Sequence, residues 1–320
     1  MAKALVTGCA GFIGSHLTDT LLASGHEVLG VDCFDDYYAR TDKEANIEQA
    51  RAAEEFELVE ADLLDLASDG RLAELVDSAD WVFHLAAQPG VRASWGATFE
   101  SYTDNNVLAT QRVLEAAKQV GVDAFVYASS SSVYGDTTVF PMREDAPVAP
   151  YSPYGVTKLA GEHLCRLYSR NFGLHTTSLR FFTVYGPRQR PDMAFRKFIE
   201  AALRDESIQV FGDGKQTRDF TCVSDIVEGL IGALHAPPGT VANLAGGSRV
   251  SLAEAIATLE RVMDRPIRVD HVGEQAGDVR DTWASIEVAQ EALGYAPHVG
   301  LEQGLAAEVA WLSQREGAAQ

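Results

Sequence analysis

The run Lys3-Ala4-Leu5-Val6-Thr7-Gly8-Cys9-Ala10-Gly11-Phe12-Ile13-Gly14 restricts this chain more than any other stretch. Lys3 to Thr7 reads as a short buried strand, the glycines as a tight turn, and the residues onward to Leu22 as an amphipathic helix. Each glycine does something that a side chain would prevent. Gly8 permits the turn, Gly11 lets the backbone approach a pyrophosphate, and Gly14 lets helix and strand pack closely, with phosphate facing the helix N-terminus. A second apolar strand, Val28-Leu29-Gly30-Val31, ends in Asp32, eighteen residues beyond Gly14. A carboxylate there accepts both hydroxyls of an adenosine ribose and repels a 2′-phosphate, which predicts NAD rather than NADP. The plainer alternative for Asp32 is a turn residue at a strand end.

The pattern repeats down the chain. Phe56 to Glu60, Trp81 to Leu85 and Phe125 to Ala128 read as further strands, separated by helical stretches around Ala67 to Val76 and Val107 to Lys118. Such alternation builds an α/β fold with a Rossmann-type doubly wound parallel sheet, whose ligands gather outside the carboxyl ends of the strands. Asp62, Ala86-Ala87-Gln88 and Ser129 to Ser132 all fall at those ends. Singly, Asp62 or Gln88 reads equally well as a loop cap; together they mark one edge of a sheet. Beyond Arg180, the run Tyr185-Gly186-Pro187-Arg188-Gln189-Arg190-Pro191 is rich in turn formers and arginine, and a helix follows near Phe195 to Leu203. We therefore expect an NAD-binding domain over 1–181 and a second, smaller α/β substrate domain over 182–320. Val241 to Leu244 reads as one more strand, so a segment near 222–245 is expected to return to the first domain.

Composition sets the outer bounds. With 320 residues, 46% of them hydrophobic and 22% charged, the chain has ample length for a buried core, and no apolar run approaches the ~18 to 20 residues that span a bilayer. The start runs straight into the first strand, leaving no room for a cleavable leader; we expect a cytoplasmic protein. A net charge of −20 disfavours nucleic acid and anionic membrane as partners. An anionic small substrate needs only a local arginine cluster, for which the arginines from Arg180 to Arg218 are candidates. Cys9, Cys33, Cys165 and Cys222 show neither disulfide nor metal spacing, so reduced structural thiols and no metal are expected.

Tyr154-Gly155-Val156-Thr157-Lys158 carries the chemistry. Helical spacing puts Tyr154 and Lys158 on one face, one turn apart. A phenol with a pKa near ~10 is a poor base at neutral pH, and a neighbouring ammonium moves it toward useful strength. A hydroxyl from the run Ser129-Ser130-Ser131-Ser132 then completes a proton path to a substrate alcohol. On its own the Tyr-x-x-x-Lys spacing fits an exposed helical Tyr beside a solvated Lys.

In combination these residues resemble the extended short-chain dehydrogenase/reductase superfamily, specifically its nucleotide-sugar epimerases and dehydratases. Thr7-Gly8-x-x-Gly11-x-x-Gly14, His84-Leu85-Ala86-Ala87, Tyr154-x-x-x-Lys158, Leu179-Arg180-Phe181-Phe182 and Arg218-Asp219-Phe220 stand in the order and spacing of that family. The resemblance implies that Gly8, Gly11, Phe12, Ile13, Gly14, Asp32, Asp62 and Leu63 contact NAD, with Ala86, Tyr154 and Lys158 on its nicotinamide side. It makes Ser130 the catalytic hydroxyl. Sugar dehydratases carry an Asp-Glu pair where this chain has Ser131 and Ser132, and decarboxylases usually keep the Glu, so epimerisation remains. Phe182-Thr183-Val184-Tyr185-Gly186-Pro187-Arg188-Gln189-Arg190-Pro191-Asp192-Met193-Ala194 is similar to UDP-glucuronate 4-epimerases, as are Asp35-Asp36-Tyr37-Tyr38 and Gln88-Pro89-Gly90-Val91-Arg92.

That likeness implies interconversion of UDP-glucuronate and UDP-galacturonate through a transient 4-keto sugar. Tyr154 would exchange the O4 proton, Lys158 would lower the tyrosine pKa and hold the nicotinamide ribose, and Ser130 would fix O4. Ser131 and Thr183 would restrain the sugar carboxylate, with Arg190 and Arg92 favouring the anion. Phe211 matches a uridine-binding segment, and Arg218 and Asp278 complete the substrate set; Gln275 replaces a usual phosphate-binding arginine, so Arg218 is expected to carry more of that charge. Loop capping is the alternative for Ser131 and Thr183, and a solvated arginine for Arg190 and Arg92. The rival enzymes are a UDP-hexose 4-epimerase for neutral sugars and a UDP-glucuronate decarboxylase. An NAD-sensing regulator is disfavoured by the retained Tyr and Lys. Relatives pair through two helices, here those holding Val107 to Lys118 and Tyr154 to Phe172, so a homodimer is expected.

Overall fold

The computed structural model describes residues 1–273 and 279–318. Its centre is a seven-stranded sheet in the order β11-β6-β5-β4-β1-β2-β3, every pairing parallel. The strands are β1 (Lys3–Thr7), β2 (Glu27–Asp32), β3 (Phe56–Glu60), β4 (Trp81–His84), β5 (Ala124–Ser130), β6 (Thr176–Phe181) and β11 (Thr240–Leu244). Chain order runs outward one way from β1 to β3 and the other way from β4, so the crevice between the carboxyl ends of β1 and β4 is the switch point where ligands bind in such sheets. The short strands are β7 (Thr183–Tyr185), β8 (Ile208–Phe211), β9 (Thr217–Arg218), β10 (Phe220–Cys222), β12 (Val250–Ser251) and β13 (Val269–Val272). They pair as β10-β7, β12-β9 and β13-β8.

Helices cover the sheet. In chain order they are α1 (Phe12–Ala23), α2 (Arg40–Asn46), α3 (Glu48–Arg51), α4 (Leu63–Ser68), α5 (Arg71–Asp77), α6 (Phe99–Thr103), α7 (Ala109–Val120), α8 (Pro153–Phe172), α9 (Ala194–Leu203), α10 (Val223–Gly232), α11 (Leu252–Met263), α12 (Glu287–Leu293) and α13 (Leu301–Ala318). The single helix expected around Ala67 to Val76 is two, because Gly70 sits at φ 86 between them. A tighter correction concerns Val107: Asp104–Leu108 forms a π-turn that leads into α7.

β11 joins the main sheet by pairing with β6 at its edge. Val223, Ile226, Val227 and Leu230 of α10 and Ala242 and Leu244 of β11 share one buried cluster with Ala4, Val6 and Leu17. Ala289 of α12 and Tyr295 join the same cluster. The remainder builds its own core from Phe195, Ile199, Ile208, Val210, Ala255, Leu259, Leu305 and Leu312. No described helix is long and apolar enough to cross a membrane.

Candidate active site

The glycine loop is shaped by close approach of backbone to backbone. A Cβ on Gly14 would stand 2.1 Å from the Gly8 carbonyl oxygen, and one on Gly8, at φ +74, would stand 2.8 Å from the Ala86 amide nitrogen. The helix that follows has Gly11 at its N-cap with no side-chain cap and no acidic residue in the first turn. Its leading N–H groups, at the positive end of the helix dipole, remain for an anion. Thr7 and His84 lock the two strands flanking the crevice: Thr7 Oγ1 is 2.8 Å from His84 Nδ1 and accepts the Ala86 N–H at 3.2 Å. Burial drives the His84 pKa down to about 3, so this imidazole is a neutral brace rather than a proton donor.

Asp32 lies at the end of β2 with Oδ2 accepting the Ala10 N–H at 3.1 Å and Oδ1 the Phe34 N–H at 2.9 Å. Burial raises its pKa, opposed by those amides and by the Lys43 charge. Asp62 caps α4, accepting the Leu64 N–H at 2.7 Å, and still faces the cavity. Gly8, Gly11, Phe12, Ile13, Gly14, Asp32, Asp62, Leu63, Ala86, Tyr154 and Lys158, the whole expected cofactor set, line one cavity. A glycine cradle at an uncapped helix start, with a carboxylate at the next strand end, fits a dinucleotide.

Tyr154 and Lys158 owe their positions to α8. Ser152 caps it by accepting the Gly155 N–H at 3.1 Å, and Pro153 supplies a preset first turn. Gly161 lets the helix lie against β5, since a Cβ there would meet the Tyr127 hydroxyl at 2.1 Å. The Lys158 stem therefore reaches across to the strand, and its Nζ donates to Ala128 O at 2.9 Å. Burial pushes this ammonium down to about 8. The phenol of Tyr154 is raised by burial, while a hydrogen bond with Ser130 and the Arg190 charge oppose the rise. Lys158, expected to act on the tyrosine, has its ammonium on the Ala128 carbonyl, the acceptor that a buried ammonium must find.

The expected sugar contacts divide. Arg190 lines the cavity of Tyr154. Ser130 pairs with Phe181 across β5 and β6, so Ser131 and Thr183 leave from adjacent strand ends. Ser130 Oγ also accepts the Ser132 N–H at 3.2 Å, closing the turn that follows β5. Arg92 lies over the Phe211 ring, 4.3 Å from its centroid. Arg218, expected to meet the substrate phosphate, donates its guanidinium to the carbonyls of Thr217, Arg280 and Val279, each at 2.8 Å. Asp278 and Gln275 lie outside the described residues.

Sequence reasoning missed other cavity residues. Lys43 is buried, donates to Asp35 O at 2.8 Å and pairs with the Asp35 carboxylate, which puts a cation beside Asp32 that no motif announces. Cys33 is exposed and lines the same cavity, whereas Cys9, Cys165 and Cys222 are the buried thiols expected. Asp192 grips Arg190; its only signal is its place two residues further on. Away from the site, Asp225, Glu228 and His298 gather their ligand atoms within 4.8 Å, but Asp225 already accepts the His298 and Val299 N–H groups.

Residues 4–245 match the model of the NAD dependent epimerase/dehydratase family. The chain belongs to that family. Among relatives of this NAD dependent epimerase/dehydratase, the protein named "Uncharacterized UDP-glucose epimerase YtcB" of Bacillus subtilis is 43% identical over 97% of this chain and 98% of its own. The UDP-glucuronate 4-epimerase of Thermodesulfobacterium geofontis is 38% identical over 97% and 96%. Among solved structures, UDP-glucuronic acid 4-epimerase from Bacillus cereus, in complex with UDP-glucuronic acid and NAD, is 43% identical with a TM-score of 0.93, covering 98% of this chain and 99% of that one. The Rossmann-type sheet, the epimerase class and NAD as cofactor are those of the family.

Proposed function

We propose that this enzyme interconverts UDP-glucuronate and UDP-galacturonate. One observation carries the choice of sugar: a cation, Arg190, shares the cavity of Tyr154, while positions 131 and 132 carry hydroxyls in place of carboxylates. The names of the T. geofontis and B. cereus relatives support it. NAD, when bound, supplies the reversible oxidation at C4. Tyr154 accepts and returns the O4 proton, and Ser130 holds O4 beside the phenol. Lys158 anchors the cofactor ribose side of the cavity. A 4-keto uronate is a β-keto acid that loses carbon dioxide when its carboxylate bond stands perpendicular to the carbonyl, so Ser131 and Thr183 hold that carboxylate while leaving the ring room to turn. Arg190 favours the anion.

A neutral UDP-hexose is the second reading, favoured by the name of the B. subtilis relative. Incubation with UDP-glucuronate and, separately, UDP-glucose, followed by NMR of the products, decides between them. UDP-galacturonate should dominate; equal or better turnover of UDP-glucose, or a UDP-pentose as main product, would overturn the assignment. The same reading makes the enzyme a cytoplasmic homodimer. Leu108, Val156, Leu167 and Phe172 are exposed apolar residues on or beside α7 and α8, the helices expected to pair, and the cysteines are unpaired, as suits a reducing compartment.

A further inference from the structure

Arg190 does not face the cavity as an isolated cation. Its Nε and Nη2 donate to the two carboxylate oxygens of Asp192 at 2.9 and 3.0 Å. Tyr37, another cavity residue, donates its hydroxyl to Asp192 Oδ2 at 3.3 Å and has its ring centroid 6.0 Å from the guanidinium carbon. Tyr37 is itself held close to the backbone, since a Cβ on Gly90, at φ +98, would stand 2.6 Å from its hydroxyl. The Arg190 side chain, which lines the cavity, keeps 20% of its surface exposed, and that of Asp192 keeps 36%.

A guanidinium is a planar fork of five N–H groups. With one edge taken side-on by Asp192, the N–H groups of the opposite edge point away from that carboxylate, and their direction is fixed by it. Asp192 also offsets the positive charge that an incoming sugar carboxylate meets. We propose that Asp192 is a specificity-determining and positioning residue: it seats the Arg190 guanidinium and sets how strongly the site prefers an anionic over a neutral sugar. This rests on the reading of the chain as a 4-epimerase for a uronate. Asp192 touches neither reacting atom in this scheme and acts through Arg190.

Two substitutions separate seat from charge. Asp192→Asn keeps an acceptor oxygen for Arg190 and removes the negative charge; Asp192→Ala removes both. The kcat/KM ratio of UDP-glucuronate to UDP-glucose should rise about two- to fivefold in Asp192→Asn, the scale of a partly exposed ion pair. It should fall below the wild-type ratio in Asp192→Ala, although the same charge is gone. Equal losses on both sugars, or an unchanged ratio in both variants, would mean that the pair only shapes its loop and would overturn the proposal.

A second readout needs no sugar. Ser130, Arg190, Tyr102, Tyr37 and Tyr127 interact with the Tyr154 phenol, and Lys158 lines the same cavity; of these, Arg190 is the one whose charge Asp192 tempers. Asp192→Asn should therefore shift the Tyr154 phenolate absorbance, identified by its loss in Tyr154→Phe, to lower pH in the NAD-loaded enzyme. If the wild type ignores UDP-glucuronate, the substrate assignment fails, and this titration alone decides whether Asp192 governs Arg190; an unmoved midpoint overturns that too.

Discussion

Glu162 and Arg180 form an ion pair whose side chains are 4% and 5% exposed. Arg180 Nε donates to Glu162 Oε1 at 2.9 Å and Nη2 to Oε2 at 2.8 Å, while Ser129 Oγ reaches the same Oε1 at 2.5 Å. The pair thus bolts α8 and β6 to the carboxyl end of β5, one residue before Ser130. Removing one partner leaves a buried charge uncompensated. We predict that Glu162→Gln and Arg180→Met each cost about 3–5 kcal/mol of stability, and that the double variant costs less than their sum. Urea unfolding of the four proteins measures this; single losses below about 1 kcal/mol would show the pair to be well hydrated.

Tyr154→Phe should keep the edge contact with Tyr102, whose ring centroid is 6.3 Å away, and remove only the proton acceptor. Turnover should fall about 10²- to 10⁴-fold with NAD affinity retained. Ser130→Ala should lower kcat more than it raises KM, because the hydroxyl bonds to the phenol in addition to the proposed contact with O4. Steady-state kinetics and NAD titration test both, and near-normal turnover of Tyr154→Phe would remove it from the mechanism.

Gly14→Ala tests the cradle. Its Cβ would collide with the Gly8 carbonyl at 2.1 Å, which only a shift of the loop or of α1 relieves. NAD affinity should drop at least about tenfold, equivalent to about 1.4 kcal/mol, while the sheet stays folded by circular dichroism. Affinity within twofold of wild type would mean that the loop relaxes without moving its N–H groups.

Much of this site was legible because its signals are local. The glycines from Gly8 to Gly14 and the strand-end Asp32 declare a cradle through backbone geometry alone, and Tyr154 and Lys158 share a face through helical period. What escaped depends on contacts between distant segments. Nothing in α12 announces that Ala289 packs with Ala4 and Val6. The Lys158 ammonium finds the Ala128 carbonyl because Gly161 lets α8 settle on Tyr127, a consequence of packing rather than spacing. The carbonyls of 279–280 that accept from Arg218 come from about sixty residues further along the chain, a contact that no local motif could announce. Asp69-Gly70 broke an apolar period that otherwise continued from α4 into α5.

Glu308 gives a prediction with a definite sign. This fully buried carboxyl on α13 accepts the Gly186 N–H at 2.9 Å through Oε2, and its Oε1 has no partner among the described residues. Burial pushes its pKa from 4.5 up to about 8, against the Gly186 hydrogen bond and the Arg196 charge. The unfolded chain therefore releases this proton near 4.5 and the folded protein only near about 8. Between those values the native state holds the extra proton, so the contribution of Glu308 to stability is fully present below the window and is lost as pH rises through it. Glu308→Gln has no proton to lose and offers Gly186 the same kind of carbonyl acceptor. The variant should gain stability relative to wild type steadily as pH rises from 4.5 to about 8 and keep a constant advantage above it. Urea midpoints of the two proteins across that window measure the effect. A difference independent of pH would mean that Glu308 is ionised in the folded state throughout, with a cation or water at the Oε1 side, and that Gly186, which leads into the Arg188 to Asp192 loop, is held by a charge rather than by a neutral acid.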